Sequence, residues 1–390
     1  MRLGLSDLRD RPMPVLDRLV ARPMWLLVPL SVLMVMTSDR HVTIDNDWQF
    51  FSWGADLLFG EHHAFVRSSY SVNPSLPGGL HTYASYPFLQ IGPPALLMAK
   101  AISFGPGRGA DIAGAVIQIS CLITLASLGR VFPPRNRWER LGVLLGASAV
   151  VVVWGQLTHY HHLDDAMALL GTCLALLALQ RHRPGLAGAL LGVSAASKPW
   201  AVVVLALALL AGSRRNQLVC AATGLVVAIA CWAPFVLADH RTLEVGHVNL
   251  SSVRGGPLEV LGVDVVTHSS SLRLIQLIGG AALAVILVER GHWQLALVSS
   301  FSLRLAVDPA TYGYYAAGVV VAAYLADRAA QRAFPILTFL AAAGWALAGS
   351  LTSDAGGWVR LLEYGGFVFL GVAAIARPTS RRAGPALILS

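Results

Sequence analysis

Lysine is nearly absent. Lys100 and Lys198 are the only two in 390 residues, so arginine carries the basic charge and each lysine stands out against apolar neighbours. Charge of either sign is scarce as well. Asp, Glu, Lys and Arg make up 13% of the chain, against about 25% in an ordinary soluble domain, and this excludes a solvent-covered globule. The four cysteines, Cys121, Cys173, Cys220 and Cys231, fall inside apolar segments without ligand-like spacing, which excludes a disulfide framework and a cysteine zinc site. No Gly-rich phosphate loop is present, so nothing reads as a nucleotide site. Sequence repeats, low-complexity linkers and a soluble domain are missing too.

What the chain has is apolar residues, 55% of it, with a mean hydropathy of +0.62. That is the composition of a polytopic membrane protein. The net charge of +8 does not indicate nucleic acid, because basic residues in such a chain are first an orientation signal. Arginines at 2, 9, 11, 18 and 22 precede "WLLVPLSVLMVM", but "TSDRH" follows in place of a small-residue cleavage site, so this reads as an uncleaved first span.

A hydrocarbon core of roughly 30 Å needs about 20 helical residues, fewer where a helix ends inside protein. On that measure thirteen segments qualify, near 20–38, 86–104, 111–130, 141–157, 163–180, 184–197, 199–213, 216–237, 271–288, 292–307, 311–326, 334–350 and 358–376. Arg130, Arg135, Arg137 and Arg140, then Arg181 and Arg183, Arg214 and Arg215, Arg290, Arg328 and Arg332, and Arg377, Arg381 and Arg382 fill every second connection, which makes those connections and both termini cytoplasmic. Parity then requires one segment not to cross. The segment 86–104, interrupted by Pro93 and Pro94 and carrying Lys100, is read as re-entrant or juxtamembrane, leaving about twelve crossings. The expected fold is an all-α transmembrane bundle forming one integral membrane domain, 1–390. Outer loops are expected at 39–85 and 238–270, the first carrying an amphipathic helix over 47–60 that lies on the outer surface.

Several polar residues sit where this topology puts the outer face. Asp45 and Asp47 lead the surface helix, where a carboxylate either caps free N–H groups or serves as a general base. In "THYHHLDDAMALL", His159, His161, His162, Asp164 and Asp165 stand at the mouth of a span. They read as a hydrogen-bonding cluster lining a polar cavity, the alternative being a metal held by His161 and Asp165, which would share a helix face. Lys198 follows a helix of 14 residues, about 21 Å, which places it below the surface inside protein. A buried ammonium needs an anion, either a lipid-borne phosphate or an aspartate. Tyr312, Tyr314 and Tyr315 make an interfacial belt or a sugar platform. Arg67, His81, Arg254, His268 and Arg360 are further outer-side groups available to an anion.

Taken in order, "DWQFFSWGADLLFG", "YPFLQIGPPALL", "RHRPGLAGALLGVSAASKPWAVVVLALALL" and "DPATYGYYAAG" resemble the polytopic C-type glycosyltransferases, in particular the actinobacterial polyprenyl-phosphate-mannose-dependent mannosyltransferases. The resemblance covers most of the first 215 residues and one later turn, while 216–300 match in hydropathy alone. Phe88 replaces the second proline of the family's Tyr-Pro-Pro element. The resemblance implies an outward-facing enzyme of the plasma membrane that takes a mannose, or another hexose or pentose, from a polyprenyl-phosphate donor. The acceptor would be an extracytoplasmic glycan or glycolipid, the displacement inverting, with no nucleotide, cofactor or obligatory metal. It implies that Asp47 is the base with Asp45 as neighbour or substitute, and that Lys198, helped by an arginine such as Arg67, Arg254 or Arg360, holds the lipid phosphate. The competing class is a transporter or lipid flippase, against which stands the lack of an internal repeat and of charge near the membrane midplane. A non-catalytic scaffold is the third. The glycosyltransferase reading requires the acid near 47 and the ammonium near 198 to face one pocket.

Overall fold

The computed structural model describes residues 22–37, 48–60, 77–87, 89–103, 108–247, 255–263, 269–308 and 312–377, and the backbone of 66–67 and 70–71. Apart from the two-residue ladder pairing Val66–Arg67 with Tyr70–Ser71, the described residues are helices and their connections. The principal helices are α1 (Met24–Thr37), α2 (Trp48–Leu58), α3 (Pro93–Ile102), α4 (Gly109–Val131), α5 (Arg137–Tyr160), α6 (Leu163–Gln180), α7 (Pro184–Ser197), α8 (Arg214–Ala238), α9 (Ser271–Glu289), α10 (Trp293–Ala306), α11 (Ala316–Ala329), α12 (Ile336–Ser350) and α13 (Ser353–Ala376). A 3-10 helix, Pro199–Leu210, follows α7. Each of the thirteen apolar segments of the sequence contains one of these helices.

Six of these helices, α4, α5, α6, α8, α9 and α13, are long and apolar enough to cross a membrane. α1, α3, α7, the Pro199–Leu210 helix and α12 are apolar but shorter. α8 and α13 expose Leu218, Leu225, Val226, Leu362, Phe369 and Val372, which suits a hydrocarbon surround and would be costly in water. At ten residues α3 is about 15 Å long, half the hydrocarbon thickness.

The helices start and stop for local reasons that also set the site. Asn136 caps α5 by accepting the Glu139 N–H at 2.9 Å, while its amide donates to Glu139 Oε1 at 3.1 Å. At the other end of α5, His161 takes the left-handed conformation (φ 58°, ψ 35°) and α6 begins two residues later, so His161 and His162 form the whole turn. Pro184 opens α7 at its first turn. Lys198 closes it because Pro199 forces the preceding residue into an extended backbone, φ −145° and ψ 124°.

Two expectations need correction. The segment after Pro199 is a twelve-residue 3-10 helix, an unusual length for that hydrogen-bond pattern. Its uniformly apolar sequence carries nothing that separates i+3 from i+4 bonding. The second correction concerns α2, whose apolar face is covered by protein. Phe51, Trp53, Ala55 and Leu57 are buried, and a Cβ at Gly54 would stand 3.0 Å from the side chains of Leu89 and Leu96. Lys100 of α3 binds Asp56 of α2 at 2.9 Å, so α3 supplies the apolar cover that a lipid surface was expected to give.

Close backbone packing joins α7 to α8. A Cβ at Gly188 would come 2.2 Å from the Cys220 carbonyl, and one at Gly192 would come 2.4 Å from that of Gly224. Small residues four apart permit this approach where lipid supplies no hydrophobic drive between helices. Gly192→Leu is therefore expected to lower the unfolding midpoint in detergent, equivalent to about 1–3 kcal/mol of overpacking. An unchanged midpoint would mean that α8 tilts away without cost.

The arginine-bearing connections gather at one end of the bundle. There Arg328 donates to the Phe132 carbonyl at 2.8 Å, Asp327 holds Arg332 at 2.9 Å, and Glu139 holds Arg135. The α5–α6 turn, Lys198 and Tyr312–Tyr315 share the opposite end.

Candidate functional site

The site is built outward from Lys198. Its ammonium hydrogen-bonds Asp164 Oδ2 at 2.5 Å and lies 3.1 Å from Asp165 Oδ2. Both carboxylates begin α6, and both are buried, Asp164 wholly. The Asp165 N–H donates to Asp164 Oδ1, and Trp200 Nε1 donates to Asp165 Oδ1, each at 2.8 Å. The aspartate alternative for the ammonium's partner is thus realised, and the outer-end acids and the lysine are one ionic cluster.

His162 completes this cluster. Its Nδ1 is 3.3 Å from Asp165 Oδ2 and 3.6 Å from Asp164 Oδ1, and its ring stacks on Tyr314 with centroids 3.5 Å apart. His161 and Asp165 were expected to share a helix face, but the helix breaks between them, so His162 is the histidine that meets Asp165. His161 instead sits 6.5 Å, centroid to centroid, from the ring of Trp48, the first residue of α2. His159 packs edge-on against Tyr160, which leads on to Tyr314 and Tyr312. His162, Asp164 and Asp165 carry donor atoms within 4.8 Å of one another, a set able to hold a metal ion. The Lys198 ammonium stands between the two carboxylates, so a metal would have to displace it.

On its other side Lys198 lines a cleft of about 130 Å³. Arg273 of α9 and Arg304 of α10 line it too, with Gln90, Gln276, Asp308 and Tyr315. Arg304 is fixed by Asp308 at 3.3 Å and by the faces of Tyr315 and Trp200, 4.3 and 5.5 Å from its guanidinium carbon. Val245 reaches the same cleft from the 3-10 helix that follows α8. That connection is set by Asp239, whose carboxyl accepts from Arg241 at 2.6 Å and is held well below the usual carboxylate range by that bond. Three cations line the cleft, Lys198 paired with Asp164 and Asp165 and Arg304 with Asp308, and together they offer an entering anion several charged donors.

The sequence expectations distribute unevenly over this geometry. Lys198 and Tyr315 line the cleft, and Asp164, Asp165 and His162 support it from behind. Arg360 does not line it, because its guanidinium donates to the Gly255 carbonyl at 2.6 Å. Asp45, Asp47, Arg254, His268 and the side chain of Arg67 lie outside the described residues. Arg273, Arg304 and Asp308 were not anticipated. A basic residue inside the apolar segment 292–307, four before an acid, was the available signal for Arg304 and Asp308.

Glu363 was missed as well. It is the eleventh of 24 residues in α13, near mid-helix, and both its carboxyl oxygens are buried without a hydrogen-bond partner among the described residues. It lies over Gly344 of α12, where a Cβ would stand 2.3 Å from Oε2. An ionisable group near mid-helix in a long apolar segment, which the sequence reading held to be lacking, is therefore present.

Compared with protein families, curated proteins and solved structures, the chain has no match.

Proposed function

We propose that the chain is a membrane glycosyltransferase that moves a sugar from a polyprenyl-phosphate donor to an extracytoplasmic glycan or glycolipid, inverting the anomeric centre. In this reading the bundle crosses the plasma membrane about twelve times with both termini cytoplasmic, and the cleft faces outward. The observation that carries it is the gathering of Lys198, Arg273 and Arg304 in one cleft, at the end of the bundle opposite the arginine-rich connections. A phosphate seated there keeps its charge compensated as the bond to the sugar breaks, which lowers the barrier to departure. Asp47 takes the proton of the acceptor hydroxyl, with Asp45 as its neighbour. Its chain neighbour Trp48 lies against His161, next to the His162–Asp165–Lys198 cluster. Nothing in the scheme uses a nucleotide or a metal.

The test is sugar transfer by the purified protein in lipid nanodiscs, supplied with polyprenyl-phosphate mannose and other polyprenyl-phosphate hexoses and pentoses. Release of polyprenyl phosphate with transfer to a glycolipid or glycan acceptor is expected. Arg304→Gln is expected to raise the donor KM about 10- to 100-fold, since a hydrogen bond to a charged group contributes about 1.5–3 kcal/mol. An unchanged KM would remove the arginine from the phosphate site.

A transporter or lipid flippase is the second reading, and Glu363 favours it, because an ionisable group at middle depth commonly marks a transport path. Sealed vesicles that move a lipid or solute across the membrane while no donor is turned over would establish that reading and end the first.

A further inference from the structure

The cleft lining carries two kinds of polar group. Lys198, Arg273 and Arg304 offer positive charge, whereas Gln90, Gln276 and Asp308 offer amides and a carboxylate. The Gln276 amide N–H is already used, donating to the Val307 carbonyl at 3.0 Å. Gln90 differs, because its Nε2 is buried and has no hydrogen-bond partner among the described residues. Burying an amide donor unpaired costs about 1–3 kcal/mol, and one at the wall of a cationic cleft calls for an acceptor that arrives with the ligand.

Gln90 is also held rigidly. The Gly92 N–H donates to the Ser197 carbonyl at 3.0 Å, one residue before Lys198, and Tyr83 Oη donates to the Ile91 carbonyl at 2.8 Å. A Cβ at Gly92 would come within 1.8 Å of the Ala196 carbonyl, so only glycine lets this segment dock on the end of α7. Leu89 and Ile91 are buried on either side of it. The segment that carries Gln90 is thus docked on the end of the helix that leads into Lys198.

We infer that the Gln90 amide and the Asp308 carboxylate form a hydroxyl-binding half of the cleft, which grips the sugar of the donor beside the phosphate held by the three cations. An amide donates where a carboxylate accepts, and a sugar hydroxyl does both. A neutral polyhydroxyl group joined to a phosphate engages both kinds of group, whereas inorganic phosphate or a phospholipid head without hydroxyls engages the cations alone. This inference rests on the glycosyltransferase reading.

The experiment measures equilibrium binding of two probes to the full-length protein in nanodiscs, a bare polyprenyl phosphate and the same lipid phosphate bearing mannose. Gln90→Met keeps length and volume and removes the amide. Gln90→Leu also removes the donor without adding a charge beside Lys198, and thermal unfolding of both variants confirms folding. Both are expected to bind the bare lipid phosphate within about twofold of wild type and the mannosylated lipid on the order of tenfold more weakly. Equal loss for the two probes in folded variants, or no loss for either, overturns the hydroxyl half and leaves the phosphate site standing. Failure of the wild type to bind either probe overturns the glycosyltransferase reading and this inference with it.

Discussion

Lys198→Ala is expected to destabilise the protein by about 3–5 kcal/mol, the usual cost of leaving buried charge without its partner. The substitution removes the one ammonium that bonds Asp164 at 2.5 Å and stands 3.1 Å from Asp165. Two carboxylates on consecutive residues would then remain buried, with a Trp200 N–H, a backbone N–H, His162 and the more distant Arg304 guanidinium as their remaining polar neighbours. Lys198→Ala combined with Asp164→Asn should regain much of the loss, because the pair then carries one negative charge, with an amide beside it. The check is the unfolding midpoint in detergent of the wild type, the single variant and the double variant. If the single variant melts within about 1 kcal/mol of wild type, the ionic cluster does not hold this end of the bundle together. Donor binding should fall in both variants, since restoring charge balance does not restore the cation.

Asp47→Asn is expected to lower the rate of sugar transfer by about 10²- to 10⁴-fold, the range in which a positioned general base contributes. Protein levels and thermal stability should stay near wild type. The choice of asparagine separates the two roles open to this residue, because Asn caps a helix N-terminus about as well as Asp but cannot accept the hydroxyl proton. Initial rates in nanodiscs at saturating donor and acceptor give the answer. A fully active Asp47→Asn enzyme would transfer the role to Asp45, whose own asparagine variant should then show the loss.

The helices were legible because each is written locally. Runs of apolar residues bounded by arginine clusters mark them, and Pro184 and Pro199 bracket α7. The helical spacing of Trp48, Phe51, Ala55 and Leu58 was equally readable, yet what covers that face was not, since apolar side chains suit lipid and protein alike. The same holds for Lys198. That a lysine in this setting needs an anion follows from its residue type alone, but Asp164 and Asp165 lie more than 30 positions away and Arg273 and Arg304 farther still. Arg360 shows the converse, an arginine of plausible placement that the fold turns toward a backbone carbonyl.

From the sequence by itself come the membrane class, the helical segments, the alternation of arginine-bearing ends and the short helix that ends at Lys198. These depend on solvation of the backbone and on dihedral limits, which act on neighbours along the chain. The tertiary structure alone decided that Lys198 joins two aspartates and two arginines around one cleft, that Gln90 is fastened beside it, and that the Glu363 carboxyl is buried without a hydrogen-bond partner among the described residues. Ionic and hydrogen-bond partners must meet within about 3 Å, and residue spacing along the chain does not encode which distant side chains come that close.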